Sequence, residues 1–186
     1  CIRDRSNIII SSISGNVVIT SDIVSSTGNA SIVTDAGDIY IGALNKSGSI
    51  NAMSGLVTLS SNSGDIIFGR NGRPSSIAGN RLGLSTGQGN IKLIGNLTAT
   101  ISAELRTDLG NIEIGSIGQV GTINGGTGTV LVKALGTYDP AQTESNQIGN
   151  VTIAPGSSIL MGAGELELNA ASILKVSNIT STSNSL

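Results

Sequence analysis

The chain has 186 residues and a formal net charge of −2, from 10 Lys and Arg against 12 Asp and Glu, with no histidine. Charged residues make up 12% and aromatic residues 2%, with one Phe, two Tyr and no Trp. This balance offers no basic footprint for nucleic acid, excludes Ser-His-Asp, Cys-His and His-based zinc arrangements, and leaves core packing almost wholly to aliphatic side chains.

Cys1 is the single cysteine, so no internal disulfide forms. Its first position makes it a weak candidate for a lipid anchor, beside the plainer reading of an excision boundary. The longest apolar runs, such as IIISSI at 8–13, fall far short of the roughly 18–20 residues that cross a bilayer, so no transmembrane segment is expected.

After a brief charged stretch, RDRSN at 3–7, a unit of Gly, Asx, apolar, variable, apolar begins to recur. It starts at Gly15 (GNVVI), Gly37 (GDIYI), Gly64 (GDIIF), Gly89 (GNIKL), Gly110 (GNIEI) and Gly149 (GNVTI). The intervals are 22, 27, 25, 21 and 39 residues. The last falls in line if about 12 residues of the 134–147 segment are an inserted loop. Residues 30–59 align without a gap to 103–132, an offset of 73, with twelve of thirty positions identical. That offset is three units.

Within each unit, apolar/variable alternation recurs after further glycines, as in GSIN at 48, GLVTL at 55, GTIN at 121 and GTVLV at 128. Period-two alternation broken by turn residues predicts about three short strands per unit. Units of this length cannot bury an apolar face alone and must stack, which makes a solenoid. The expectation is an all-β, single-stranded parallel β-helix of about seven rungs, roughly 24 residues each, spaced about 4.8 Å apart. Ile39, Ile66 and Ile91 should lie above one another in its interior. ELELNAASILKV at 165–176 alternates as a further rung rather than as a helix, and 177–186 reads as a polar tail. The whole of 1–186 reads as one solenoid, a segment of a longer repetitive surface protein.

Several outward residues are candidates for chemistry. The Asx after each glycine gives a row, Asn16, Asp38, Asp65, Asn90, Asn111 and Asn150, expected to cap turns and stack as a ladder. Asp38 and Asp65 then fall on adjacent rungs, where like charges repel by about 1 kcal/mol in water. They are the weak metal candidates, for calcium; otherwise no cofactor is expected. Arg70, Arg73 and Arg81 cluster in GRNGRPSSIAGNR and would suit an acidic sugar or a phosphate, or simply a solvated turn. The inserted loop carries Tyr138, Asp139 and Glu144 as contact candidates for a glycan or a protein partner. Asp35, Asp38 and Asp65 with nearby arginines form the basis of an alternative reading, a polysaccharide lyase or hydrolase. GGTGTV at 125–130 lacks the Lys-Ser/Thr ending of a phosphate loop.

The GN[IV]x[IL] rungs, poor in aromatics and rich in Gly, Ser, Asn, Ile and Thr, resemble the shaft repeats of filamentous-haemagglutinin-like (two-partner secretion) exoproteins and autotransporter passengers. The resemblance covers roughly residues 7–176 and implies a right-handed coil. It also implies secretion to a bacterial cell surface and a role as an adhesin or as a biofilm or filament component. The chain lacks the NPN-type motif of the secretion domain in that family. What the resemblance implies, then, is a non-enzymatic structural or adhesive column whose rung ends are open to self-association.

Overall fold

The computed structural model describes residues 2–4, 6–43, 45–70, 73–137, 139–143, 146–177 and 179–181, with 2–4 and 181 described as backbone alone. Strand accounts for 59% of it, and no helix occurs among the described residues. The chain opens with β1 (Ile2–Asp4), β2 (Ile8–Ser12) and β3 (Val17–Ile19), then β4 (Asp22–Ser25), β5 (Ala30–Thr34) and β6 (Ile39–Ile41). Three long strands follow, each succeeded by a short one: β7 (Ser49–Ser61) and β8 (Ile66–Phe68), β9 (Ser75–Thr86) and β10 (Ile91–Leu93), β11 (Gly95–Thr107) and β12 (Ile112–Ile114). The remainder is β13 (Gly121–Asn124), β14 (Val130–Ala134), β15 (Val151–Ile153), β16 (Ser158–Met161), β17 (Leu166–Ala170), β18 (Leu174–Val176) and β19 (Ile179–Ser181).

All pairings between these strands are parallel, and each joins residues one sequence unit apart, so the chain threads three columns of strands in a fixed order. The first column is β3-β6-β8-β10-β12-β15-β18. The second runs β1-β4-β7-β9-β11-β13-β16-β19, and the third runs from β2 through β5, β7, β9, β11 and β14 to β17. The architecture is thus all-β with long parallel sheets, compatible with a β-helix or solenoid. The segment expected as a further rung supplies β17 and β18, paired with β14 and β15. Part of the polar tail, Ile179–Ser181, is also strand and pairs with β16.

One expectation needs adjusting. In the middle coils the second and third strands are not separate but run together as β7, β9 and β11, 13, 12 and 13 residues long. Each crosses between columns at a register shift, at Ala52/Leu56 between β7 and β9 and at Ala99/Ser102 between β9 and β11. A bulge of this kind bends the sheet without a turn, which is how a strand rounds a corner and keeps most of its ladder.

The interior is built from aligned aliphatic rows. Ile39 pairs in register with Ile66, Ile66 with Ile91, and Ile91 with Ile112, and all four are buried. Beside them run Ile41, Phe68, Leu93 and Ile114; in the second column, Ile50, Ile77, Leu97 and Ile123. A single apolar cluster extends from Ile8 to Met161. Each such side chain contributes about 1.5–3 kcal/mol by leaving water, and β-branched Ile fits the pleat without rotamer loss.

The corner entering the first column explains the conserved spacing within the chain. A hydroxyl precedes five of the six motif glycines by three residues: Ser12, Thr34, Ser61, Thr86 and Thr107. Ser12, Thr34, Ser61 and Thr86 accept hydrogen bonds from the N–H of Gly15, Gly37, Gly64 and Gly89 at 2.8–3.0 Å. In the other direction Ser61, Thr86 and Thr107 donate to the carbonyls of Gly37, Gly64 and Gly89, one coil back, at 2.8–3.0 Å. No buried side-chain nitrogen or oxygen among the described residues lacks a partner. The glycines themselves are required by crowding: a Cβ on Gly64 would lie 2.2 Å from the Gly37 oxygen, and one on Gly89 2.1 Å from the Gly64 oxygen.

Candidate functional site

The Asx row forms the expected ladder, but its bonds run between coils rather than within each turn. Asp38 N–H donates to Asn16 Oδ1 at 2.8 Å, Asp65 N–H to Asp38 Oδ1 at 2.9 Å, and Asn90 N–H to Asp65 Oδ1 at 2.7 Å. Asn111 and Asn150 continue it at 2.9 Å each, and Ile173 N–H closes on Asn150 Oδ1 at 3.1 Å. A shorter ladder, Asn7 to Asn29 to Leu56, runs at another corner. Asp38 and Asp65 do occupy adjacent coils, and each carboxylate accepts the backbone N–H of the next coil's Asx residue. The second oxygen of Asp38 accepts from the Tyr40 hydroxyl at 2.7 Å. No group of three or more His, Cys, Asp or Glu able to hold a metal occurs among the described residues.

The three arginines do not converge. Arg70 and Arg73, after β8, form an isolated antiparallel bridge, with N–H to carbonyl bonds in both directions at 3.2 and 2.9 Å. The Arg70 guanidinium sits 5.1 Å over the Tyr40 ring, an exposed cation–π contact of about 0.5–1 kcal/mol. Arg81 instead lies within β9 where it rounds into the third column, between Leu56 and Ser102. The hydrogen bond to Asp38 and, after it, burial raise the Tyr40 pKa above its ordinary value, against the opposing pull of Arg70.

Asp35 is exposed, and its backbone carbonyl accepts from Ser63 N–H and Oγ at 3.0 Å each. In the inserted loop Tyr138 and Glu144 lie outside the described residues, as does Cys1. Asp139 is described, and the loop is organised around a residue that the sequence does not single out, Gln147. The Gln147 amide is buried; its Oε1 accepts from Asp139 N–H at 3.0 Å and its Nε2 donates to the Asp139 carbonyl. Ser172 Oγ adds a bond to Oε1 at 3.3 Å. The chain leaves the corner at Gly136 and returns at Gly149, whose φ of 81° marks re-entry in a left-handed conformation that suits glycine.

An open concavity of about 450 Å³ lies elsewhere, on the outer face of the third column. Its floor is the outward side of one coil, Gly83, Ser85 and Gly87; Thr58 and Ser60 border one side, Glu104, Arg106 and Asp108 the other. The registers Thr58–Gly83–Glu104 and Ser60–Ser85–Arg106 fix these neighbours. Arg106 holds Asp108 Oδ1 through Nε and Nη2, both at 3.0 Å. With both side chains about half exposed, at 47% and 51%, the pair contributes under about 1 kcal/mol to stability and serves chiefly to fix the guanidinium. The signal in the sequence is a run of tiny outward residues, Gly83, Ser85 and Gly87, visible only once inward and outward positions are assigned.

No protein-family model, curated protein or solved structure matches the chain.

Proposed function

We propose that the parallel sheets close on one another as a single-stranded right-handed β-helix of about seven rungs, roughly 24 residues each. We propose further that it works as a non-enzymatic structural or adhesive column on a bacterial cell surface, as the haemagglutinin-like resemblance implies. One observation carries this reading. The recurring polar groups, which an enzyme would aim at a substrate, are engaged in bonds from coil to coil: the Asx oxygens accept the next coil's N–H, and the corner hydroxyls reach the previous coil's carbonyl. Of Asp35, Asp38 and Asp65, the acids that an alternative hydrolase or lyase would use, Asp38 and Asp65 belong to this ladder, and Asp35 is engaged through its backbone carbonyl.

Self-association has its own support. β18 pairs with β15 and β19 with β16, and within these two strands Leu174, Val176 and Ile179 expose aliphatic surface. Exposed aliphatic surface of this kind favours association with another apolar surface. Electron microscopy of the purified chain, run beside a reducing-sugar assay on a panel of polysaccharides, tests the reading. End-to-end particles without cleavage products are the expected result; depolymerisation would sink the non-enzymatic reading, and single particles at every concentration would remove self-association from it.

A further inference from the structure

We infer that the concavity on the third column is a binding groove for a neutral, linear oligosaccharide. This deepens the adhesive reading and rests on it for biological sense. The groove follows the middle coil for the four residue steps from Gly83 to Gly87, about 13 Å at the rise of a strand, and its borders stand two coils apart, about 9.6 Å. Its volume of about 450 Å³ falls in the range of ordinary ligand sites, roughly 300–1,000 Å³. A Cβ built on Gly83 meets nothing within 4 Å, so a side chain there would project into the groove without a clash.

The lining selects the ligand class. Outward groups are hydroxyls on Thr58, Ser60 and Ser85, a carboxylate acceptor on Glu104, and the guanidinium donors of Arg106 not committed to Asp108. Ser85 Oγ donates to Ser60 Oγ at 3.3 Å, beginning a hydroxyl chain that ligand hydroxyls would extend and strengthen. Donors and acceptors alternate along the borders, which suits a polyol whose every hydroxyl is both. Two acids against one base leave the groove slightly negative, opposing uronates, sulfated glycans and phosphates. The floor presents no outward apolar side chain for a lipid or an apolar peptide. β9 is hydrogen-bonded on both sides, to β7 and β11, so a peptide cannot add as a strand there.

Cleavage does not follow from binding. Glu104 and Asp108 are four residues apart along the chain, about 13 Å of strand, beyond the roughly 5–9.5 Å that separates the carboxyls of glycosidases, and Asp108 is already held by Arg106.

The test is retention of the full chain on an array of neutral linear oligosaccharides, gluco-, galacto- and manno-configured, with titration calorimetry on those retained. Gly83→Val fills the groove from a position with free space around it, and circular dichroism and the thermal midpoint should stay those of the parent. The expected result is binding of at least one neutral oligosaccharide, insensitive to sodium chloride, weakened about tenfold or more in Gly83→Val. Thr58→Val, which keeps the shape and removes a hydroxyl, should weaken it less. No neutral glycan bound, binding unchanged in Gly83→Val, or a salt-sensitive preference for polyuronates would each overturn the assignment. End-to-end particles without glycan binding would leave the column reading intact while this one fails; glycan cleavage at an unchanged groove would do the reverse.

Discussion

Gly89 and Gly83 belong to the same coil, six residues apart, yet they are glycine for opposite reasons. At the corner, Gly89 lets one backbone rest on another: the next atom from its missing Cβ is a carbonyl oxygen 2.1 Å away. On the third face, Gly83 has open space where its side chain would be. The first glycine is imposed by how coils stack, the second is free of that demand and so is available for surface shape. The comparison teaches that the repeat constrains corners and interior rows, and leaves outward positions on the faces to carry whatever is particular to this protein.

The sharpest way to break that comparison is a matched pair of alanines. Gly64→Ala, whose Cβ would meet the Gly37 oxygen at 2.2 Å, should destabilise by about 3 kcal/mol or more. Gly83→Ala should lie within about 0.5 kcal/mol of the parent, or above it, because Gly is a poor strand residue. Urea unfolding midpoints measure both, and equal costs would erase the distinction.

A second pair probes hydroxyls. Thr86→Val leaves the Gly89 N–H and the Gly64 carbonyl without the bonds they now make at 2.9 Å each, a loss of about 1–3 kcal/mol in a buried corner. Ser85→Ala, one residue away on the outward side, should stay within about 0.5 kcal/mol. Were Ser85 the costlier of the two, the corner hydroxyls would not be the link between coils.

The smallest effect concerns Tyr40. Its phenol donates to Asp38, and that bond with partial burial raises its pKa. The neutral phenol is the favoured form in the folded chain, so its contribution is present below the ordinary value of about 10 and fades as pH rises through the raised one. Ultraviolet titration of a Tyr138→Phe background isolates Tyr40; adding Asp38→Asn should return the midpoint toward about 10, while Asp35→Asn should not move it.

Much of the fold was legible because its determinants are local. The Gly-Asx-apolar-variable-apolar motif places Ile39, Ile66 and Ile91 in one row by counting alone, and the registers agree. The Asx ladder was readable as a ladder, though its inter-coil bonding was not. The hydroxyl three residues before five of the six motif glycines was there to be read, as Ser/Thr-x-x-Gly-Asx at 12–16, 34–38, 61–65, 86–90 and 107–111. Candidate sites were far less legible. Arg70, Arg73 and Arg81 are neighbours in sequence, yet β9 carries Arg81 to a different corner. Gln147 gave no signal because its partners, Asp139 and Ser172, belong to an irregular loop and the following coil.

By itself the sequence determined the period, the strand order and which side chains face inward, since alternation and glycine spacing act within one coil. Only the tertiary structure decided which outward residues become neighbours, for the coils differ in length, 22, 27, 25, 21 and 39 residues between motif glycines. The point where each coil takes up its extra residues, a bulge, a hairpin or a loop, sets what stands beside what. Thr58, Gly83 and Glu104 share a groove because backbone hydrogen bonding between coils aligned them, a condition that no single stretch of chain contains.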